Sequence, residues 1–140
     1  MTRKKNPQSL LGTWRLKDWH SLKNGDFYAY PMGEDVQGQL IYTAAGRMSG
    51  FLMRADFGEE APRSDTKAAK SLSYGGNWRI EGEDVVHEVD LSTIPEWIGT
   101  ELVRTMVWQG DELLLKTAPQ EAPDGNRYEN RLLWERQREG

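Results

Sequence analysis

The sequence predicts an all-β domain, a sandwich or barrel whose neighbouring strands pair as antiparallel hairpins. Short segments that alternate polar and apolar residues recur along the chain, and turn residues separate them. The 140 residues are enough for one domain with its own core. Cysteine is absent, which excludes disulfides, thiolate nucleophiles and cysteine-bound metals.

The alternation predicts eight or nine strands, which we place at 12–22, 27–30, 37–43, 47–53, 74–81, 84–92, 100–108, 112–117 and 127–137. Five joints contain residues that tolerate positive φ: Asn24-Gly25, Ala45-Gly46, Gly82-Glu83, Gly110-Asp111 and Asp124-Gly125. The rhythm breaks between 58 and 73, where Asp65 precedes several good helix formers. We therefore expect a short helix or lid near 63–73.

The charge balance and the hydrophobic pattern limit the partners. The chain contains 18 Lys and Arg and 22 Asp and Glu, which gives a net charge of −4. A negative net charge does not favour binding to nucleic acid or to an anionic membrane. The longest apolar runs are far shorter than the roughly 18–20 residues of a membrane span. The basic start at 1–7 precedes no apolar signal segment, so we expect a cytoplasmic protein.

Polar residues fall on strand faces that are otherwise apolar. His87 shares its period-two phase with Val85 and Val89. On later strands, Arg104 shares a face with large apolar residues, and Asn130 and Tyr128 share theirs with Leu132 and Trp134. An unpaired buried charge costs several kcal/mol, so Arg104 must be paired, hydrated or facing a cavity. The sequence thus predicts a ligand site formed by Arg104, His87, Asn130, Tyr128, Met53, Tyr74, Trp78, Trp97 and Met106.

Plainer interpretations of the same residues stay open. A single His on an apolar face is more often a hydrogen-bonded core residue than a catalyst. Arg104 could bridge an inward carboxylate or stack on Trp108 or Trp134. With His20 and His87 as the only histidines and no nucleotide-binding or zinc motif, we expect neither a metal nor a cofactor.

Several blocks of the chain resemble the lipocalin-like domain family of small bacterial and fungal proteins. They include Leu11-Gly12-Thr13-Trp14-Arg15-Leu16, Gly38-Gln39-Leu40-Ile41-Tyr42-Thr43, Tyr74-Gly75-Gly76-Asn77-Trp78 and Leu133-Trp134-Glu135-Arg136. The resemblance implies an up-and-down antiparallel barrel of eight to ten strands over 10–138, after a disordered or loosely attached segment at 1–9. It also implies that Gly12 and Trp14 close one barrel end, with Arg136 as the basic partner of the tryptophan.

Three functions compete. The first, which we favour, is intracellular binding of a small hydrophobic ligand with a polar or acidic group; Arg104 would bind an acid through two parallel hydrogen bonds. The second is a cofactor-independent isomerase, cyclase or dehydratase in which His87 acts as general acid or base and Tyr128 or Arg104 stabilises negative charge. The third is a ligand-free barrel that interacts or dimerises through exposed Trp19, Trp97 or Trp108. The family resemblance adds an association with secondary metabolism.

Overall fold

The computed structural model of the chain describes residues 7–58 and 71–137, which form ten strands and two short 3₁₀ turns. The strands are β1 Gly12–Lys23, β2 Asp26–Ala29, β3 Gln37–Tyr42, β4 Arg47–Met53, β5 Ser71–Glu81, β6 Asp84–Ser92, β7 Glu101–Gln109, β8 Glu112–Lys116, β9 Gln120–Glu121 and β10 Arg127–Arg136. The 3₁₀ turns lie at Pro7–Leu10 and Pro95–Trp97. No helix in these described residues is long or apolar enough to cross a membrane.

Eight of the strands close into an antiparallel barrel. The sheet order is β2-β1-β3-β4-β5-β6-β7-β8-β10-β9, and a further pairing of β1 with β10 closes the ring. The closure runs from Trp14 opposite Arg136 to Lys23 opposite Tyr128. The extra strands β2 and β9 lie outside the ring, paired with β1 and β10. The predicted all-β barrel with antiparallel neighbours is confirmed.

The two ends of the barrel differ in their connections. At one end, which we call the closed end, β5–β6 and β7–β8 are joined by two residues each. Gly82 and Gly110 open these turns with φ of 64° and 63°, a conformation that glycine adopts without steric cost. At the other end, which we call the cavity end, longer segments connect β2 to β3, β4 to β5, β6 to β7 and β8 to β10. Longer connections leave space for an opening there.

The core fills the barrel towards the closed end. Alternate side chains of the strands point inward, as the period of two requires. The largest fully buried side chains include those of Trp14, Tyr42 and Leu113. Met48 and Val85 pack in the same cluster. Burial of these large apolar side chains stabilises the barrel at this end.

The structure changes the prediction for the segment near 63–73. Residues 59–70 lie outside the described part of the chain, but 71–73 already belong to β5. These three residues pair with 51–53 of β4, so this part of the expected helix is strand. Pairing satisfies the backbone groups of β4, and Leu72 packs against the core. The two-residue β9, which is wholly polar, has no signal in the apolar pattern.

Candidate functional site

A cavity of about 190 Å³ occupies the cavity-end half of the barrel. It is larger than the roughly 150 Å³ apolar cavity that accommodates benzene in an engineered protein, and smaller than a typical drug-sized site. Such a volume suits a small molecule with one ring or a short chain. Its walls are mostly apolar and aromatic: Trp19, Leu40, Gly50, Leu52, Leu72, Tyr74, His87, Ile94, Trp97, Arg104, Leu115, Thr117, Asn130, Leu132 and Trp134.

Arg104 is the cationic residue of this cavity. Strand β7 holds it half-buried, and its guanidinium donates a hydrogen bond to the carbonyl of Val103 at 3.0 Å. Among residues 7–58 and 71–137, no carboxylate forms an ion pair with it, although the chain is acidic. The charge therefore has the capacity to bind an anion in the cavity.

A wider vestibule of about 580 Å³ adjoins the cavity. Four residues line both spaces: Trp97, Arg104, Thr117 and Asn130. The vestibule adds polar side chains from the β8–β10 connection, including Gln120 and Glu121. Arg104 thus lies where the apolar interior meets the outer, more polar space.

A chain of hydrogen bonds runs beside the cavity through His87. The imidazole is 1% exposed, and both of its nitrogens are bonded to tyrosine hydroxyls. The Tyr42 hydroxyl lies 2.7 Å from Nε2, and the Tyr74 hydroxyl lies 2.8 Å from Nδ1. Tyr42 is fully buried behind the cavity, whereas Tyr74 lines it. Neither ring nitrogen is free for a ligand in this arrangement.

The environment keeps this chain neutral. Burial, with the positive charge of Arg104 as the second cause, lowers the pKa of His87 from 6.5 to about 3. Burial also raises the pKa of both tyrosines, Tyr42 and Tyr74. Near neutral pH the imidazole therefore carries one proton, and both phenols keep theirs.

The other polar groups of the cavity have their acceptors in use. Asn130 Oδ1 accepts a hydrogen bond from Trp19 Nε1 at 3.0 Å. Thr117 Oγ1 accepts one from the Asn130 backbone N–H at 2.9 Å. The buried Nε1–H of Trp134 has no acceptor within the described residues. The unused hydrogen-bonding capacity around the cavity is mainly that of donors.

At the closed end the residues expected to close the barrel come together. The Arg136 guanidinium lies over the Trp14 ring, 4.2 Å from its centroid, and donates to the carbonyl of Leu11 at 2.6 Å and to that of Ser9. The Trp14 Nε1–H donates to the Leu10 carbonyl at 2.9 Å. Ser9, inside the segment expected to be loosely attached, is thus bonded to the barrel.

Gly12 makes room for this arrangement. Its φ is 118°, a backbone conformation that favours glycine, and a Cβ there would lie 3.2 Å from Arg136 Nη1. A larger residue would therefore press against the guanidinium that lies over Trp14.

The structure brings five of the expected ligand residues together around the cavity. All five line it, and they come from β5, β6, β7, β10 and the 3₁₀ turn before β7: Tyr74, His87, Arg104, Asn130 and Trp97.

The other four expected ligand residues lie elsewhere. Met53 alternates with buried Leu52 and so lies on the outer face of β4. Trp78 and Met106 pack against the core without lining the cavity, and the Trp78 ring lies 5.2 Å from the ring of Tyr42. Tyr128 lines the vestibule, and its hydroxyl donates to Asp124 at 2.9 Å.

Several residues that line the cavity or lie behind it are absent from the set that the sequence suggests. Tyr42 shares its period-two phase with Leu40, so its inward direction is readable, but nothing in the sequence pairs it with His87. Leu72 falls within the helix expected there. Trp19, expected at an exposed surface, is half-buried and lines the cavity on the strand β1, whose register shifts shortly before it.

The tryptophans of the dimer hypothesis do not form an exposed patch. Trp19, Trp97 and Trp108 are each half-buried. Trp97 packs edge-on against Tyr74 at 5.4 Å, and Trp108 lies 6.0 Å from Trp14. In the described residues, no cluster of three or more His, Asp or Glu side chains could hold a metal ion.

A comparison with protein families agrees with the resemblance in the sequence. A family model described as a lipocalin-like domain matches residues 11–137, nearly the whole chain. A search of curated proteins found no match.

Proposed function

The chain belongs to the lipocalin-like domain family, and from that premise we propose that its barrel binds a small hydrophobic molecule carrying a carboxylate. The apolar part of the ligand would occupy the cavity of about 190 Å³, and the carboxylate would lie at Arg104, beside the vestibule. The geometry favours binding over acid–base catalysis, since tyrosine hydroxyls engage both ring nitrogens of His87.

The proposal rests on the positive charge of Arg104, for which the described residues supply no carboxylate partner. Arg104 is half-buried, lines an apolar cavity and has no carboxylate partner in the described part of the chain. Removing such a charge from water is costly, and a ligand carboxylate would offset that cost through two charge-assisted hydrogen bonds. Carboxylates are abundant in this chain, whose net charge is −4, so the lack of a carboxylate partner for Arg104 among residues 7–58 and 71–137 is informative.

The size and the opening of the cavity limit the ligand further. A volume of about 190 Å³ holds a single aromatic ring or a chain of several carbons, not a steroid or a long fatty acid. The vestibule lets a polar group remain near water while the apolar part is buried. Aryl-alkanoic acids and medium-chain acids fit both conditions.

Calorimetric titration with 3-phenylpropanoate and octanoate tests the proposal. We expect both to bind the unmodified protein, and Arg104→Met to weaken binding about 100-fold, because the paired charges are partly desolvated. Arg47→Met is the matched control. Arg47 binds Asp90 with both Nη atoms on the outer surface, so its loss changes the net charge equally and leaves affinity unchanged.

A second pair of variants tests the location of the ligand. Gly50 lines the cavity, and a Cβ there would make ordinary contact with Leu40 at 3.5 Å. Gly50→Leu would therefore fill the cavity and abolish binding, whereas Gly50→Ala would weaken it only slightly. Failure of both acids to bind, or equal affinities of the Arg104→Met and Arg47→Met variants, would overturn the proposal.

A further inference from the structure

We propose that Tyr42 and His87 are positioning residues that direct the Tyr74 hydroxyl hydrogen into the cavity, so that Tyr74 donates to the ligand beside Arg104. This inference rests on the proposed binding of an acid and goes further, because it assigns roles to three residues. It also predicts which headgroups the cavity rejects.

The imidazole of His87 has a single hydrogen to share between two partners. Because the ring is neutral, one nitrogen carries a hydrogen and donates while the other accepts. Each nitrogen has one tyrosine hydroxyl at hydrogen-bond distance, Tyr42 at Nε2 and Tyr74 at Nδ1. One tyrosine must then donate to the ring, and the other must accept from it.

Burial distinguishes the two tyrosines. The Tyr42 hydroxyl is fully buried, and its only hydrogen-bond partner in the described residues is His87. If Nε2 carried the hydrogen, Tyr42 would accept it and its own O–H hydrogen would be buried without an acceptor, at a cost of about 1–3 kcal/mol. Tyr42 therefore donates to Nε2, and the ring hydrogen is on Nδ1.

The hydroxyl hydrogen of Tyr74 is then free to donate a hydrogen bond into the cavity. Nδ1–H donates to the Tyr74 oxygen, so His87 does not use the Tyr74 hydrogen. Tyr74 lines the cavity and makes no other hydrogen bond within the described residues. Its O–H can donate to a bound ligand. The same cavity contains the guanidinium of Arg104 and the Nδ2 group of Asn130.

The chemical class of the headgroup follows from this set of donors. The Asn130 Oδ1 and Thr117 Oγ1 acceptors are already engaged, as are both nitrogens of His87. A carboxylate accepts hydrogen bonds only and so matches the donors of Tyr74, Arg104 and Asn130. An alcohol, amine or primary amide also brings hydrogens, which would have to share oxygens that already accept one hydrogen bond each, Asn130 Oδ1 and Thr117 Oγ1. The cavity should therefore discriminate between an acid and its neutral isosteres by hydrogen-bond direction as well as by charge.

The tautomer of His87 is measured directly on the ligand-free protein by ¹⁵N NMR of histidine-labelled samples. The chain has two histidines, so His20→Gln assigns the signals. We expect a pyrrole-type Nδ1 and a pyridine-type Nε2 for His87 at pH 7. A protonated Nε2 in the unmodified protein would overturn the inference and leave the proposed acid binding untouched.

The role of Tyr42 is tested by the same spectra of Tyr42→Phe. Without the hydroxyl that donates to Nε2, the ring is free to take the other tautomer, and the Nε2 signal should move towards the pyrrole type. A variant whose His87 signals match those of the unmodified protein would contradict a positioning role. Amide spectra of the variant show whether the barrel is still folded.

The role of Tyr74 is tested with 3-phenylpropanoate and its neutral analogue 3-phenylpropanamide. Tyr74→Phe should weaken binding of the acid about 10- to 100-fold, as expected for a lost hydrogen bond to a charged group. Tyr30→Phe, which changes a tyrosine on the outer surface, should leave affinity unchanged. Amide binding as tight as acid binding, or Tyr74→Phe affinity equal to that of Tyr30→Phe, would overturn the donor role.

Discussion

The two ends of the barrel use the same two residue types, arginine and tryptophan, with opposite results. At the closed end, Arg136 donates to two backbone carbonyls and lies over Trp14, whose Nε1–H is bonded to Leu10. At the cavity, Arg104 donates to one backbone carbonyl, that of Val103, and has no carboxylate partner in the described residues. The buried Nε1–H of Trp134, which also lines the cavity, has no acceptor in those residues.

The difference separates a structural role from a binding role. Polar groups whose partners lie within the protein stabilise the fold and have little capacity left for a ligand. Polar groups buried at a cavity without internal partners cost stability, and that cost is offset when a ligand supplies the partners. By this criterion the closed end maintains the barrel, and the polar groups at the cavity fit the binding role that we propose for it.

The same substitution at two tryptophans should give the largest contrast between the ends. Trp14→Phe and Trp134→Phe remove the same volume from buried positions, but only the first leaves a carbonyl, that of Leu10, without its donor. We expect Trp14→Phe to lower the free energy of unfolding by about 1–3 kcal/mol more than Trp134→Phe. Urea denaturation without ligand measures both, and equal losses would show that the two indole N–H groups are equivalent.

Acid should lower the free energy of unfolding through His87, which lines the cavity. The pKa of His87 is about 3 in the folded protein and near 6.5 in the unfolded chain, so the unfolded state takes up the proton first as pH falls. The associated stability is complete above pH 6.5 and is lost progressively down to about pH 3. The loss between pH 7.5 and pH 5 should be about 2 kcal/mol.

The variant His87→Gln isolates this effect. Between pH 7.5 and pH 5, the free energy of unfolding of His87→Gln should fall by about 2 kcal/mol less than that of the unmodified protein. Carboxylates such as Asp90 titrate equally in the variant and the unmodified protein. Parallel stability curves for the unmodified protein and His87→Gln would contradict the assigned pKa.

Substitution of Arg136 or Arg104 by Met should change the stability of the ligand-free protein least among these variants. Arg136→Met removes two hydrogen bonds to carbonyls and the contact with Trp14, and should cost about 1–2 kcal/mol. Arg104→Met removes a half-buried charge without a carboxylate partner in the described residues, and should leave stability unchanged or raise it by up to about 1 kcal/mol. Thermal unfolding measures the sign, and a loss at Arg104 equal to that at Arg136 would show that Arg104 also has a structural role.

The strands were predictable because their signals are local. Alternation of side chains and the residues of tight turns, such as Gly82 and Gly110, depend on near neighbours in the chain. The same alternation places His87 and Asn130 on inward faces, and it groups Arg104 with the larger side chains of its strand, although both phases of that strand contain apolar residues. It does not decide the face of Met53, because both phases of β4 contain apolar residues. At 71–73, strand pairing with β4 overrides local helix propensity.

The order of the strands, the acidic charge, the absence of cysteine and the inward polar residues can all be read from the amino-acid sequence. Which of these residues meet is a property of the closed barrel. Tyr42 and His87 are 45 positions apart and lie on strands that do not pair, β3 and β6. Their polar atoms come within 2.7 Å because the closed barrel brings inward side chains of separate strands together. How many partners a polar group has depends on such contacts, which no local pattern encodes. In the described residues Arg104 donates to one carbonyl, whereas Arg136 donates to two and lies over the Trp14 ring.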